Sequence, residues 1–134
     1  MKVVNFIYII TCICFFYNIC FSVEIEKDNL KNKLTKIQFE VTQNCGTEPP
    51  FKNAYWDNKE DGIYVDIING SVLFCSIHKY DSGSGWPSFY QTIDSSLTLH
   101  DDFNLGYKRT EVKSKESNSH LGHVFEDGPN PTGL

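Results

Sequence analysis

The amino-acid sequence predicts an antiparallel β domain with a minor helix. Short runs rich in β-branched and aromatic residues recur from residue 62 onward, with turn residues between them. Asn69-Gly70 falls between two of these runs and is the strongest short-range hairpin signal a sequence can carry. At 134 residues there is room for one domain, and no internal repeat or low-complexity block interrupts it.

Each element follows in chain order. Thr35-Lys36-Ile37-Gln38 has the form of a capping box, which predicts a short helix from Lys36 to about Thr42. Gly46, Pro49 and Pro50 make residues 45–51 a loop. Residues 62–68 and 71–76 read as the two strands flanking Asn69-Gly70. A short strand is expected over 96–99 and an alternating one over 107–113. A turn over 115–118 then leads into a strand over 119–125. Gly128, Pro129, Pro131 and Gly133 make the last nine residues a loop. A β domain ending in a loop leaves a strand edge unpaired, so a further strand is expected beyond Gly133-Leu134, the sequence being C-terminally incomplete.

The first 22 residues differ from the rest. Lys2 precedes an apolar run over 3–21, and Cys20 and Ser22 sit at the −3 and −1 positions of a cut before Val23. That layout predicts a secretory signal peptide over 1–22, with an uncleaved membrane anchor as the alternative, and hence entry into the secretory pathway. Residues 23–34, rich in Lys, Asn and Glu, read as a solvated linker or the exposed face of a short helix. Residues 35–134 are the domain. A net charge of −5 offers no broad basic surface, so nucleic acid is not an expected partner.

Of five cysteines, only Cys45 and Cys75 lie beyond the leader, where an oxidising compartment would allow them to pair. No Cys-x-x-Cys follows the leader, so a zinc site built on cysteines is excluded.

Two stretches carry the chemistry. Residues 80–89 read Tyr-Asp-Ser-Gly-Ser-Gly-Trp-Pro-Ser-Phe, a turn-rich loop around one large aromatic, Trp86. Taken alone it is a Gly/Ser loop with a Trp plugging the core. It fits neither the Gly-x-Ser-x-Gly nucleophile elbow nor a phosphate loop. Residues 119–127 read Ser-His-Leu-Gly-His-Val-Phe-Glu-Asp. In a regular strand His120 and His123 face opposite sides, whereas a bulge at Gly122 would let both imidazoles and Asp127 converge. Two His and a carboxylate also form the ligand set of an iron facial triad.

Together with Gly46-Thr47-Glu48-Pro49-Pro50-Phe51, Asn53-Ala54-Tyr55-Trp56-Asp57 and Arg109-Thr110-Glu111-Val112, these stretches closely resemble methionine-R-sulfoxide reductase of the B type. The likeness runs from about Leu34 to Leu134, with several long motifs in the same order. It implies two antiparallel sheets with short peripheral helices. It also implies reduction of methionine-R-sulfoxide in oxidised proteins: a Cys thiolate attacks the sulfoxide sulfur, a second Cys resolves the sulfenic acid as a disulfide, and thioredoxin reduces that bridge. By resemblance Trp86 walls the substrate methyl group, His120 and His123 bind or protonate the sulfoxide oxygen, and Asp127 orients a neighbour.

Two departures from the family pattern stand out. Where many relatives hold zinc with two Cys-x-x-Cys pairs, this chain has Asp66, Asn69, Ser114 and Ser117. The chain therefore resembles a zinc-free branch, which implies no resident cofactor and stability from packing alone. The family's nucleophile lies in an Arg-Tyr-Cys-Ile-Asn segment that no residue here matches, so the 134 residues alone are expected to be inactive. Cys45 and then Cys75 are the candidates for the resolving thiol. The expected assembly is a monomer that meets a membrane only through its N-terminal segment. The alternatives are a non-catalytic sulfoxide-binding module and a metal protein using His120, His123 and Asp127.

Overall fold

The computed structural model describes residues 27–134 except Asp94, so the signal-peptide region and the start of the Lys/Asn-rich segment lie outside the described residues. No helix among the described residues is long and apolar enough to cross a membrane. One compact unit ends at Lys36 and a second spans Ile37–Leu134. In the first, residues 27–33 are helical and mostly exposed.

Helix α1 (Lys36–Asn44), all but its first residue in the second unit, buries Phe39. Thr42 Oγ1 donates back to the Gln38 carbonyl at 2.8 Å, and the helix runs two residues past the expected end. It stops where Cys45 turns left-handed at φ 54° and the Gly46 amide donates to the Glu40 carbonyl at 2.9 Å.

Seven strands follow: β1 (Ile63–Val65), β2 (Val72–Cys75), β3 (Lys79–Tyr80), β4 (Ser88–Phe89), β5 (Leu97–Asp102), β6 (Arg109–Ser114) and β7 (His120–Val124). The chain is mainly β, as expected, but the strands form three small antiparallel sheets rather than two: β1–β2, β3–β4 and β5–β6–β7. A single 3₁₀ turn (Ser76–His78) links β2 to β3. The aromatic side chains span the first two sheets. Phe74 of β2 stacks on Phe89 of β4 with centroids 4.4 Å apart, and Tyr64 of β1 meets the same ring edge-on at 4.9 Å.

The hairpin at Asn69-Gly70 forms, but wider than a two-residue turn. Val65 pairs with Val72, and the chain between them folds on its own side chains. Asp66 Oδ1 accepts from the Ile68 amide at 2.8 Å and Asn69 Oδ1 from the Ser71 amide at 2.9 Å. These Asx bonds give the backbone an alternative to the ladder and end β1 three residues early.

The turns that carry Asp66, Asn69 and Ser117 are not joined by packing alone. Ser117 Oγ donates to Asp66 Oδ2 and lies 2.7 Å from Ser119 Oγ, while Asn69 Nδ2 and Ser71 Oγ both reach Glu116 Oε2, at 3.4 and 2.7 Å. Asp66, Ser114 and Ser119 are buried. Hydrogen bonds therefore join the β1–β2 turn to the β6–β7 turn, a correction to the expectation of packing as the sole tie. Cys45 and Cys75 are both free thiols, not a disulfide.

The last nine residues form a closed loop. The Gly128 amide donates to the Gly133 carbonyl at 3.0 Å, the Asn130–Pro131 peptide is cis, and Thr132 Oγ1 donates to the Tyr90 carbonyl at 2.7 Å. Strand β7, which precedes this loop, is an edge of its sheet.

Candidate active site

Strand β6 is the centre of the three-stranded sheet, and its alternation builds the site. Arg109, Glu111 and Lys113 share one face, Thr110, Val112 and Ser114 the other. Register brings Asp102 of β5 opposite Arg109, and His123 of β7 opposite Glu111. A regular strand would then send His120 to the far face. Instead the ladder steps from Val112↔Gly122 to Lys113↔His120, leaving Leu121 as the extra residue of a bulge. Gly122 sits at φ 153°, within the range that side chains rarely adopt. The bulge brings both imidazoles to the same face, their centroids 5.4 Å apart.

Each imidazole meets its own buried carboxylate. His120 Nδ1 lies 2.7 Å from Glu111 Oε1, and His123 Nε2 lies 2.7 Å from Asp102 Oδ2. Arg109 Nη2 donates to the same Asp102 oxygen at 2.5 Å, and Lys113 Nζ stands 3.4 Å from Glu111 Oε2.

Both acids are ionised at neutral pH. The Asn104 amide and then His123 lead the causes that lower Asp102 to about 2, with Arg109 adding to them against the cost of burial. Burial pushes Glu111 up, but hydrogen bonds from His120 and Cys45 and the charge of Lys113 outweigh it and hold the carboxyl below its ordinary value.

Ionised carboxylates only accept, so the facing ring nitrogens must carry protons. His120 is fixed with its proton on Nδ1 and His123 with its proton on Nε2. No further hydrogen bond joins Nε2 of His120 or Nδ1 of His123 to the described residues. Each is open to a ligand, and an imidazolium ring can donate from that side as well.

Asp127 does not join this arrangement. It is exposed, makes no hydrogen bond among the described residues, and leaves the carboxylate positions to Glu111 and Asp102. The set of His120, His123 and Asp127 proposed from sequence as a metal triad is thus not assembled.

Cys45, at the end of α1, points its thiol into the site and donates to Glu111 Oε1 at 3.4 Å. Burial raises its pKa and the neighbouring Glu111 carboxylate adds to that, so the thiol is protonated at neutral pH. Cys75 lies half-buried on β2, its strand paired with β1.

Trp86 is no core plug. It is 38% exposed, and its indole N–H donates to the Glu48 carbonyl at 2.7 Å. The same segment is anchored at its other end by Cys45, and Phe51 closes it by donating its amide to the Gly85 carbonyl at 2.9 Å. Asn53 Nδ2 donates to that carbonyl at 2.8 Å. The 45–51 loop is therefore pinned both to the histidine sheet and to the Trp86 loop.

A family model, the SelR domain, matches residues 34–134. The chain belongs to this family. The assignment supports the B-type methionine-R-sulfoxide reductase likeness read from the sequence. A relative from Vibrio cholerae serotype O1, described as peptide methionine sulfoxide reductase MsrA/MsrB, is 59% identical over 108 residues. That alignment takes in 80% of this chain but only 29% of the relative, so the chain spans under a third of that protein.

The site residues that the sequence reading missed are Asp102, Glu111 and Arg109. The signal was partly there. Arg109 and Glu111 alternate on a predicted strand, and a buried carboxylate opposite a histidine strand is a candidate partner. Asp102 was hidden because His100-Asp101-Asp102 does not look like strand, although it pairs residue for residue with β6.

Proposed function

We propose that this chain carries the substrate-binding and proton-donating part of a methionine-R-sulfoxide reductase acting on oxidised proteins. The observation that carries the reading is the pair of imidazoles, one face, 5.4 Å apart, each fixed by an ionised carboxylate. A sulfoxide oxygen accumulates negative charge as its S–O bond breaks, and two imidazoles poised to donate answer that demand. The exposed face of Trp86 supplies an apolar wall for the sulfur-bound methyl group.

In the proposed cycle a thiolate attacks the sulfoxide sulfur, the oxygen passes to that cysteine with a proton, and methionine leaves. The resulting sulfenic acid condenses with the Cys45 thiol, releasing water and forming a disulfide, which a thioredoxin dithiol reduces. Cys45 suits the second step better than the first, because its raised pKa keeps it protonated. The attacking cysteine is proposed to come from the Arg-Tyr-Cys-Ile-Asn segment of the family. By themselves these residues would then act as a sulfoxide-binding module, a reading the protonated Cys45 favours. Entry into the secretory route is part of the proposal, supported by the leader pattern over 1–22, and a monomer is the proposed assembly.

The test compares the 134-residue chain with a version continued through that segment. Both should bind a peptide carrying methionine-R-sulfoxide in preference to the S epimer, read by Trp fluorescence. Only the extended version should turn over the R epimer with dithiothreitol. Equal binding of the two epimers, or turnover of S, would sink the reading.

A further inference from the structure

Cys45, Glu111 and His120 each present one ligand-type atom, and these atoms lie within 4.8 Å of one another. The three residues are 66 and 9 positions apart along the chain in their two hydrogen bonds, so the fold and not local sequence brings them together. We propose that they form a divalent metal site, of a kind suited to zinc, distinct from the cysteine zinc site of other family members.

The donor set is one thiolate, one carboxylate and one imidazole, the mixture that borderline-soft Zn²⁺ accepts. Ligand atoms around a tetrahedral zinc stand about 3.3–3.6 Å apart, from bond lengths of about 2.0–2.3 Å. Cys45 Sγ and Glu111 Oε1 are already 3.4 Å apart. His120 Nδ1 and Glu111 Oε1, at 2.7 Å, must open by about 0.6 Å to reach that spacing.

In the metal-free arrangement two hydrogens converge on Glu111 Oε1, one from the thiol and one from Nδ1. A cation would take the place of those hydrogens. The thiol proton leaves to solvent, while the imidazole proton moves from Nδ1 to Nε2, so one proton is released and nothing is oxidised or reduced. The outer groups are also in place. Lys113 Nζ holds the other Glu111 oxygen, Oε2, at 3.4 Å, which leaves Oε1 for the metal. Glu111 and His120 are buried while Cys45 is exposed, so the site has rigid inner walls and an open entry side. Cys45 is held at φ 54°, a backbone region that disfavours side-chain-bearing residues but aims its thiol at the carboxylate.

Under the function proposed above, an occupied site would hold both Cys45 and His120 on the metal, away from sulfoxide chemistry. Metal binding does not depend on that reading, and its test reads the metal alone. The full chain with Cys12, Cys14 and Cys20 replaced by Ser, kept reduced, is titrated with Zn²⁺ by calorimetry and with Co²⁺ by absorbance. One ion per chain is expected, with a thiolate-to-cobalt charge-transfer band. Adding Cys45→Ser should abolish that band and weaken Zn²⁺ binding by about 100-fold or more, whereas adding Cys75→Ser should change neither. A variant-free measurement decides the matter should a substitution disturb folding: Zn²⁺ should protect Cys45, but not Cys75, from alkylation as read by peptide mass. Absence of stoichiometric Zn²⁺, undiminished binding in Cys45→Ser, or alkylation of Cys45 unaffected by Zn²⁺ would each overturn the proposal.

Discussion

Gly83 and Gly85 lie in one loop and both have left-handed backbones, at φ 71° and 84°. Replacing each with Ala separates conformational strain from packing. At Gly83 an added Cβ meets nothing within 4 Å, so the variant bears only the left-handed penalty, about 1–2 kcal/mol. At Gly85 the Cβ would lie 2.7 Å from the Phe51 amide nitrogen and 2.8 and 2.9 Å from its ring carbons. Moving the ring alone does not relieve the clash, because the backbone nitrogen is the nearest atom. That nitrogen donates to the Gly85 carbonyl, so separation also weakens a 2.9 Å bond. Overpacking of this kind adds about 1–3 kcal/mol, giving a total of about 2–5 kcal/mol. For a domain of this size about 1 kcal/mol moves Tm by about 4–8 °C. Gly83→Ala should therefore lower Tm by several degrees, and Gly85→Ala by at least twice as much, in thermal unfolding followed by far-UV circular dichroism. The Gly85 variant should also change Trp86 fluorescence, because the 45–51 loop anchors the indole. Equal losses in the two variants would refute the claim that close backbone approach, rather than φ alone, demands glycine at position 85.

Three further perturbations test other parts of the structure. Asp102→Asn removes a carboxyl whose folded pKa, about 2, lies below its ordinary value of 3.8. Its stabilising effect is fully present above the unfolded value and is lost as pH falls through the folded one. The stability gap between native chain and variant should thus close between about pH 5 and pH 2, and a gap constant across that window in urea titrations would contradict the assignment. Asp66→Ala strips the acceptor from Ser117 Oγ and the Ile68 amide in a buried turn, and should cost about 1–3 kcal/mol in urea unfolding, with Ser117→Ala costing no more. In the version extended through the family's cysteine segment, His120→Ala and His123→Ala should each lower turnover of methionine-R-sulfoxide by about 10²–10⁴-fold. Full activity in both would remove the imidazoles from proton donation.

What was legible in the sequence was the order of strands and turns, because alternation and Gly/Asn/Pro punctuation are local signals. The hairpin at Asn69-Gly70 is an example, though the wider turn was not foreseen: it depends on the Asp66 and Asn69 side chains winning backbone donors that the ladder would otherwise take. The bulge in β7 was foreseeable as a possibility from Gly122, but only the partner strand fixes where it falls. The three-sheet division was not legible, since it rests on breaks in pairing such as the 3₁₀ turn after β2. Least legible were the acids. Asp127 lies four residues beyond His123, within reach of the histidines if a bulge turns the strand and pointed to by the family resemblance, whereas Asp102 and Glu111 reach the histidines through sheet register, which a single sequence does not display.

The choice of acids decides what the histidines can do. A single carboxylate shared by both rings would hold one imidazole and leave the other to find its own tautomer. Here the two acids grip opposite kinds of nitrogen, Nδ1 in His120 and Nε2 in His123, so the open positions are Nε2 in one and Nδ1 in the other. Arg109 and Lys113, on the same face of β6, keep those acids charged without standing between acid and imidazole. Moving either acid by one residue along its strand would turn it to the other face of the sheet, because the side-chain period is two. The bulge therefore has a specific consequence: it is the one irregularity that lets two histidines three residues apart share a face with a regular run of acids and bases. Deleting Leu121 would remove the extra residue and shorten that spacing to two, so a regular ladder would keep His123 opposite Glu111 and His120 opposite Lys113 with both rings on one face.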